Sequence, residues 1–304
     1  MALACAGMLS AQNLAGPNSG FVYDPADKAI RLIVGVPGAA YLGGDLASGL
    51  DGASIAPDGA RAVASRNGRL VLISTADGSA VDLGAWEGEL ALGAWSADGT
   101  AFAAKGSALA LFRNLDATPE AVALGEFDGK ITALAVAGRG TLIVATESGL
   151  FRLGEAAELL APLEGVTALA MNAAGDRLYA ASPLRKEIHQ IGGLEASAEV
   201  AFLLGEAAGL DAPSALGVSG NTLYVADRGS HKLSAVRLDS SEMLFSLDLA
   251  FDATGMERLS SGRFLMTQAA GSGSIEIFDP ARRAVLFVPQ SGAFESQAAD
   301  SVEE

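Results

Sequence analysis

Six glycine turns recur along the chain at nearly constant spacing, and this period constrains the fold more than any other feature. Gly59, Gly99, Gly140, Gly175, Gly220 and Gly262 are separated by 40, 41, 35, 45 and 42 residues. Each turn divides two short apolar runs, as at 53–56 and 61–64, or 215–218 and 222–226. Two further runs follow before the next turn. The inner runs are rich in Ala, Val and Leu with little alternation, the pattern of strands covered on both faces. Turn residues interrupt every run before it reaches a typical helix length, which excludes a helical repeat.

A period of about 40 residues with four strands per unit is that of a β-propeller blade. One such sheet cannot bury both faces alone. Blades set around an axis cover each other and leave only short edges. The expected fold is therefore all-β, a single β-propeller of four-stranded blades over residues 20–289. Six complete units are counted. Residues 21–36, FVYDPADKAIRLIVGV, match 277–289, IFDPARRAVLFVP, at the Asp-Pro turn and both flanking runs. They read as an outer strand pair without an inner pair, docked where the ring closes. Six blades are preferred, with seven as the alternative if residues 1–19 add strands.

One large all-β domain accommodates 304 residues, and half of them are hydrophobic, so core material is ample. The net charge of −16 disfavours duplex nucleic acid, whose affinity comes mainly from cations on phosphate. Cys5 is the sole cysteine, which rules out an intrachain disulfide and thiolate clusters. Residues 1–11, MALACAGMLSA, form a short apolar, small-residue run that reads as the remnant of a secretory signal. A buried N-terminal strand is the other reading. Export implies a periplasmic or extracellular protein, expected as a monomer. No apolar run approaches the ~18–20 residues that span a bilayer. Residues 290–304 form an acidic tail, expected to be loose.

Residues 223–238, LYVADRGSHKLSAVRL, resemble the NHL repeat, whose strand ends in a Tyr-Val-Ala-Asp pattern before a basic loop. Residues 178–191 resemble it more weakly. Residues 53–75, with an Ala-Pro-Asp-Gly turn, are similar to WD-type and TolB-type propeller repeats. The resemblance implies a propeller that binds proteins or ligands. A few such propellers are lactonases or lyases with a metal in the axial funnel.

No GxSxG elbow, GxGxxG loop or P-loop occurs. His189 and His231 fall in different units without nearby His or Cys, and read as surface side chains. Asp58, Asp98 and Asp176 sit in tight turns, where Asp bonds its own backbone. Trp86 and Trp95 read as packing residues. No catalytic set, metal site or cofactor is expected. A metal-dependent funnel enzyme, with Asp227 as its first candidate residue, is the alternative.

One pattern points to binding. In a propeller the loops between second and third strands open on one face. Seven of the twenty basic residues fall in those loops. Arg66, Lys105, Arg185, Lys186, Asp227, Arg228 and His231 are the candidate binding set, facing a protein or a small anionic ligand. Plain solvation of loops accounts for the same charges.

Overall fold

The computed structural model describes residues 18–36, 39–268 and 274–289. The expected leader at 1–11 and tail at 290–304 lie outside the described residues. Among the described residues, seven antiparallel sheets follow one another in chain order. Blade 1 contains β1 (Asn18–Asp24), β2 (Ala29–Val36) and β3 (Ala39–Ala47). Blade 2 contains β4 (Gly52–Ile55), β5 (Arg61–Arg66), β6 (Arg69–Ser74) and β7 (Ala80–Ala85). Blade 3 contains β8 (Leu92–Trp95), β9 (Phe102–Lys105), β10 (Leu109–Arg113) and β11 (Glu120–Val122). Blade 4 contains β12 (Ile131–Ala137), β13 (Thr141–Thr146), β14 (Leu150–Leu153) and β15 (Ala157–Ala161). Blade 5 contains β16 (Ala168–Met171), β17 (Leu178–Ser182), β18 (Glu187–Gly192) and β19 (Glu199–Leu204). Blade 6 contains β20 (Pro213–Ser219), β21 (Thr222–Asp227), β22 (Lys232–Arg237) and β23 (Met243–Asp248). Blade 7 contains β24 (Ala253–Arg258), β25 (Phe264–Gln268), β26 (Ser274–Asp279) and β27 (Ala284–Pro289).

The propeller has seven blades, which corrects the preferred count of six. The strand that overturns the count is β3, paired antiparallel with β2. Its sequence, AAYLGGDLA, lies on the outside of the ring and is mostly exposed or half-buried. An outermost strand needs no apolar alternation, so neither period nor burial pattern marks it in the sequence. Residues 21–36 do lie where the ring closes, but as part of a three-stranded sheet with β3 rather than a docked pair.

Blade 1 is a blade because both of its faces are covered. Val22, Ile33 and Leu42 pack on Leu259, Ile275, Ile277 and Val288 of blade 7. On the other face, Ile30 packs with Leu50 and with Ile55, Ala62, Val71 and Ile73 of blade 2. Ile30 and Ile33 are fully buried, each worth about 1.5–3 kcal/mol of apolar transfer. Ring closure thus rests on two apolar seams.

The β1–β2 turn identifies which strands blade 1 holds. The Leu50 N–H donates to the Lys28 carbonyl, just as the Leu249 N–H donates to the His231 carbonyl. Lys28 and His231 are both left-handed, at φ 50° and 52°. His231 lies between the second and third strands of its blade, so β1, β2 and β3 are second, third and fourth strands. Among the described residues blade 1 has no innermost strand. The axis is lined instead by β4, β8, β12, β16, β20 and β24.

Candidate functional site

An antiparallel meander puts each second-to-third-strand loop at the same end as the connections between blades. The first-to-second-strand turns lie at the opposite end. These two ends carry different chemistry.

At the loop end, acids on the connections meet the loop cations. Lys186 Nζ lies 2.6 Å from Asp211 Oδ1 and 3.6 Å from Glu206, both on the connection from blade 5 to blade 6. His231 Nδ1 lies 3.2 Å from Asp252 Oδ1, on the next connection. The reverse pairing also occurs: Lys130, on the connection from blade 3 to blade 4, reaches Glu147 in the β13–β14 loop at 2.9 Å. Arg185 Nε is 3.1 Å from Glu187 within its own blade. The loops alone carry an excess of cations, and the connections supply much of the opposing charge.

The structure brings four of the seven candidates together. Arg185 and Lys186 on blade 5 adjoin Arg228 and His231 on blade 6, linked through the Lys186–Asp211 pair and by the Arg228 N–H donating to the Ala212 carbonyl. Arg66 ends β5 and Lys105 ends β9, on blades 2 and 3, with blade 4 intervening. The Lys105 ammonium donates to the neighbouring Gly106 carbonyl. Asp227 is 3% exposed and turned inward. Its Oδ2 accepts the Asp211 N–H at 2.8 Å, and its Oδ1 accepts those of Ala212 at 3.1 Å and Ser230 at 2.9 Å. Both carboxylate oxygens therefore hold backbone. Among the described residues no group of three or more His, Cys, Asp or Glu side chains could hold a metal ion. No described helix is long and apolar enough to cross a membrane.

One further residue in this cluster carries no sequence signal. Leu184, between Pro183 and Arg185, is 73% exposed. The other large exposed hydrophobics, Tyr41, Val81, Leu159, Val200, Phe202, Met243 and Phe287, all lie on outermost strands. Leu184 is set apart by lying on the loop face. A single Leu in a loop has no period, so sequence pattern could not single it out.

The histidines, turn aspartates and tryptophans have local duties. His189, on β18, meets the Phe202 ring edge-on, and burial holds its pKa below the usual imidazole value. Asp58 Oδ1 accepts the Ala60 N–H, and Asp98 Oδ1 accepts the Thr100 N–H. Trp86 is buried. Trp95 packs on Phe102 with ring centroids 4.7 Å apart, and its Nε1 donates to Ser54 Oγ across the blade boundary.

The turn end holds an axial cavity of about 170 Å³. Its walls are the second halves of the six innermost strands, including Trp95, Leu134, Leu169, Met171, Leu216 and Met256. Turn residues Pro57, Ala97 and Ala173 form its mouth. Glu257 and Arg258 bring charge to this lining. Glu257 keeps some exposed surface, as a cavity wall does, but protein surrounds it closely. Burial raises its pKa from the usual carboxyl value to about 7. Glu257 pairs across the ladder with Leu265, so the two share a sheet face. Leu265 packs in the seam with blade 1, so Glu257 faces the place where, among the described residues, blade 1 has no innermost strand.

Alignment of the repeats on their turns exposes Glu257. Counting back five residues from the turn glycine gives Ser54, Ala94, Ala135, Ala170 and Glu257 in five of the repeats. Gly217 takes the corresponding place in blade 6, whose turn is shorter. Where the other units have a small residue facing the next blade, blade 7 has a carboxyl.

The fold and both ends being defined, comparison with known proteins places the chain among β-propellers. It is similar to the β-propeller domain of Cps50 (Swd1) from Myceliophteria thermophila, at a TM-score of 0.54 and 11% identity, covering 84% of this chain and 94% of that one. At that identity the likeness concerns the fold. No protein-family model matches the sequence. No curated protein matches it either.

Proposed function

We propose that this is a non-catalytic binding propeller that docks a protein segment on the loop face at the boundary of blades 5 and 6. The observation that carries the reading is Leu184. An isobutyl side chain held 73% exposed on a rigid loop face is apolar surface that a docked partner would remove from water. Around it, Arg185 and Lys186 are engaged by Glu187 and Asp211, whereas the exposed Arg228 forms no side-chain ion pair among the described residues. The segment that fits is an apolar side chain followed by a carboxylate for Arg228. Rigid blades fix these loops in place, which lowers the ordering cost of binding. In this reading the protein is an exported propeller of NHL type, supported by the run at 1–11 and by the repeat at 223–238.

The test is affinity capture from the native envelope with three baits: the wild-type chain, Leu184→Asp, and the outer-strand control Tyr41→Ser. Wild type and Tyr41→Ser should retain the same partner. Leu184→Asp should weaken it by roughly fivefold or more, corresponding to about 1 kcal/mol or above for an anchor residue. Equal capture by all three baits would remove the loop face as the docking surface.

A further inference from the structure

The cavity at the turn end lies opposite the Leu184 face, and its chemistry is independent of anything docked there. We propose that the axial cavity is a binding site for a small organic ammonium ion, its charge met by Glu257 and its hydrocarbon body by the inner strands.

Size and lining come first. A volume of about 170 Å³ is roughly ten times the ~10–15 Å³ needed to admit one water. That suits a short alkyl chain with one charged head. Leu134, Leu169, Leu216 and Met256 provide apolar surface, and Trp95 adds an aromatic wall.

Glu257 provides the polar end. Its carboxyl forms no hydrogen bond or ion pair among the described residues, and burial is the cause acting on its titration. Among the described residues no partner compensates a carboxylate here, and burial raises its pKa to about 7. A cation within about 4–6 Å favours the ionised form. The site therefore gains from an ammonium ion what it cannot gain from a neutral molecule of the same shape.

The charged groups around it leave that role open. On the same strand the exposed Arg258 also lines the cavity, but alternation turns it to the sheet face opposite Glu257, so the ammonium ion is placed on the Glu257 side. On β25 the facing residue is Leu265. At the adjoining turn Arg263 is engaged by Asp279 at 3.0 Å and reaches Ser19 Oγ at 3.3 Å. From blade 1, Val22 and Ile33 face the seam, and Arg31 on β2 is held by Asp24, Asp27 and Asp45. From across the axis the lining is Ser54, Trp95 and apolar or small residues.

The experiment uses the full chain and two probes, n-butylammonium and its neutral counterpart n-butanol. Calorimetric titrations are run on wild type and Glu257→Gln, at about pH 8 and about pH 5.5, on either side of the folded-state pKa. Wild type should bind n-butylammonium at the higher pH and about tenfold more weakly at the lower one. n-Butanol should show no such dependence. Glu257→Gln, which keeps the side-chain shape, should bind the cation no better than the alcohol. The wild-type pH comparison stands even if the variant proves unstable. Equal affinity of wild type for the two probes, unchanged cation binding in the variant, or no binding at millimolar concentration would each overturn the proposal.

Discussion

Ser260 Oγ sits 2.7 Å from where a Cβ on Gly59 would lie. Ser260 belongs to the β24–β25 turn of blade 7 and Gly59 to the β4–β5 turn of blade 2. These blades are not neighbours in the ring, yet their inner turns touch. They meet because, among the described residues, blade 1 brings no inner hairpin between them. Among the described residues the outer ring has seven members and the axis six, and Glu257 faces the position of the difference.

Gly59→Ala should be costly for two separable reasons. Gly59 has φ +72°, a conformation that favours glycine, and its new methyl would meet Ser260. The expected loss is about 1–3 kcal/mol in denaturant unfolding. Adding Ser260→Gly should return the steric share and leave the backbone share. A Gly59→Ala protein as stable as wild type would show that the two turns are not in contact.

Asp227→Ala should destabilise the protein by about 2–4 kcal/mol, because it strips the acceptor from three backbone N–H groups at a nearly buried site. Asp227→Asn, which keeps one acceptor oxygen, should fall between. Thermal unfolding of the pair against wild type measures this. A drop of only a few tenths of a kcal/mol for Asp227→Ala would mean that water satisfies those donors.

Glu257 should make stability fall as pH rises through neutrality. Its folded-state pKa of about 7 lies above the ordinary 4.5, so folding favours the protonated form. The penalty is absent below about pH 4.5, grows between 4.5 and 7, and is complete above 7, approaching ~3 kcal/mol. Glu257→Gln should remove this limb and be the more stable protein at pH 8. Parallel pH–stability curves for wild type and variant would contradict the burial of this carboxyl.

Asp279 should act on the acid side in the opposite sense. Burial pushes its pKa up, but hydrogen bonds from Arg263 and Arg282 outweigh burial and hold it below the ordinary value. Its contribution is present above the unfolded-state pKa of about 4 and is lost as pH falls through the lower folded-state value. Asp279→Asn should therefore flatten the acid limb of the stability curve while lowering stability at neutral pH. An unchanged acid limb would assign acid unfolding to other carboxylates.

The amino-acid sequence by itself determined the blade. Its turn glycines need left-handed backbone, as Gly59, Gly99, Gly140, Gly175, Gly220 and Gly262 all show at φ between 56° and 78°. The apolar runs between them need cover on both faces. Both requirements are local, so they can be read one repeat at a time. The turn roles of Asp58 and Asp98 were legible for the same reason.

Tertiary structure decided what depends on neighbours. Blade number turned on β3, an outer strand whose exposed residues carry no period, held by its ladder to β2. The charge of the loop face turned on Asp211, Glu206 and Asp252, distant in sequence from the cations they meet. Leu184 became a candidate only through its exposure, and Glu257, though odd among the aligned repeats, only through its burial at the cavity wall. A leucine or a glutamate acquires exposure or burial from the surfaces packed against it, and the repeat alignment that marks Glu257 as unusual does not say that it is buried.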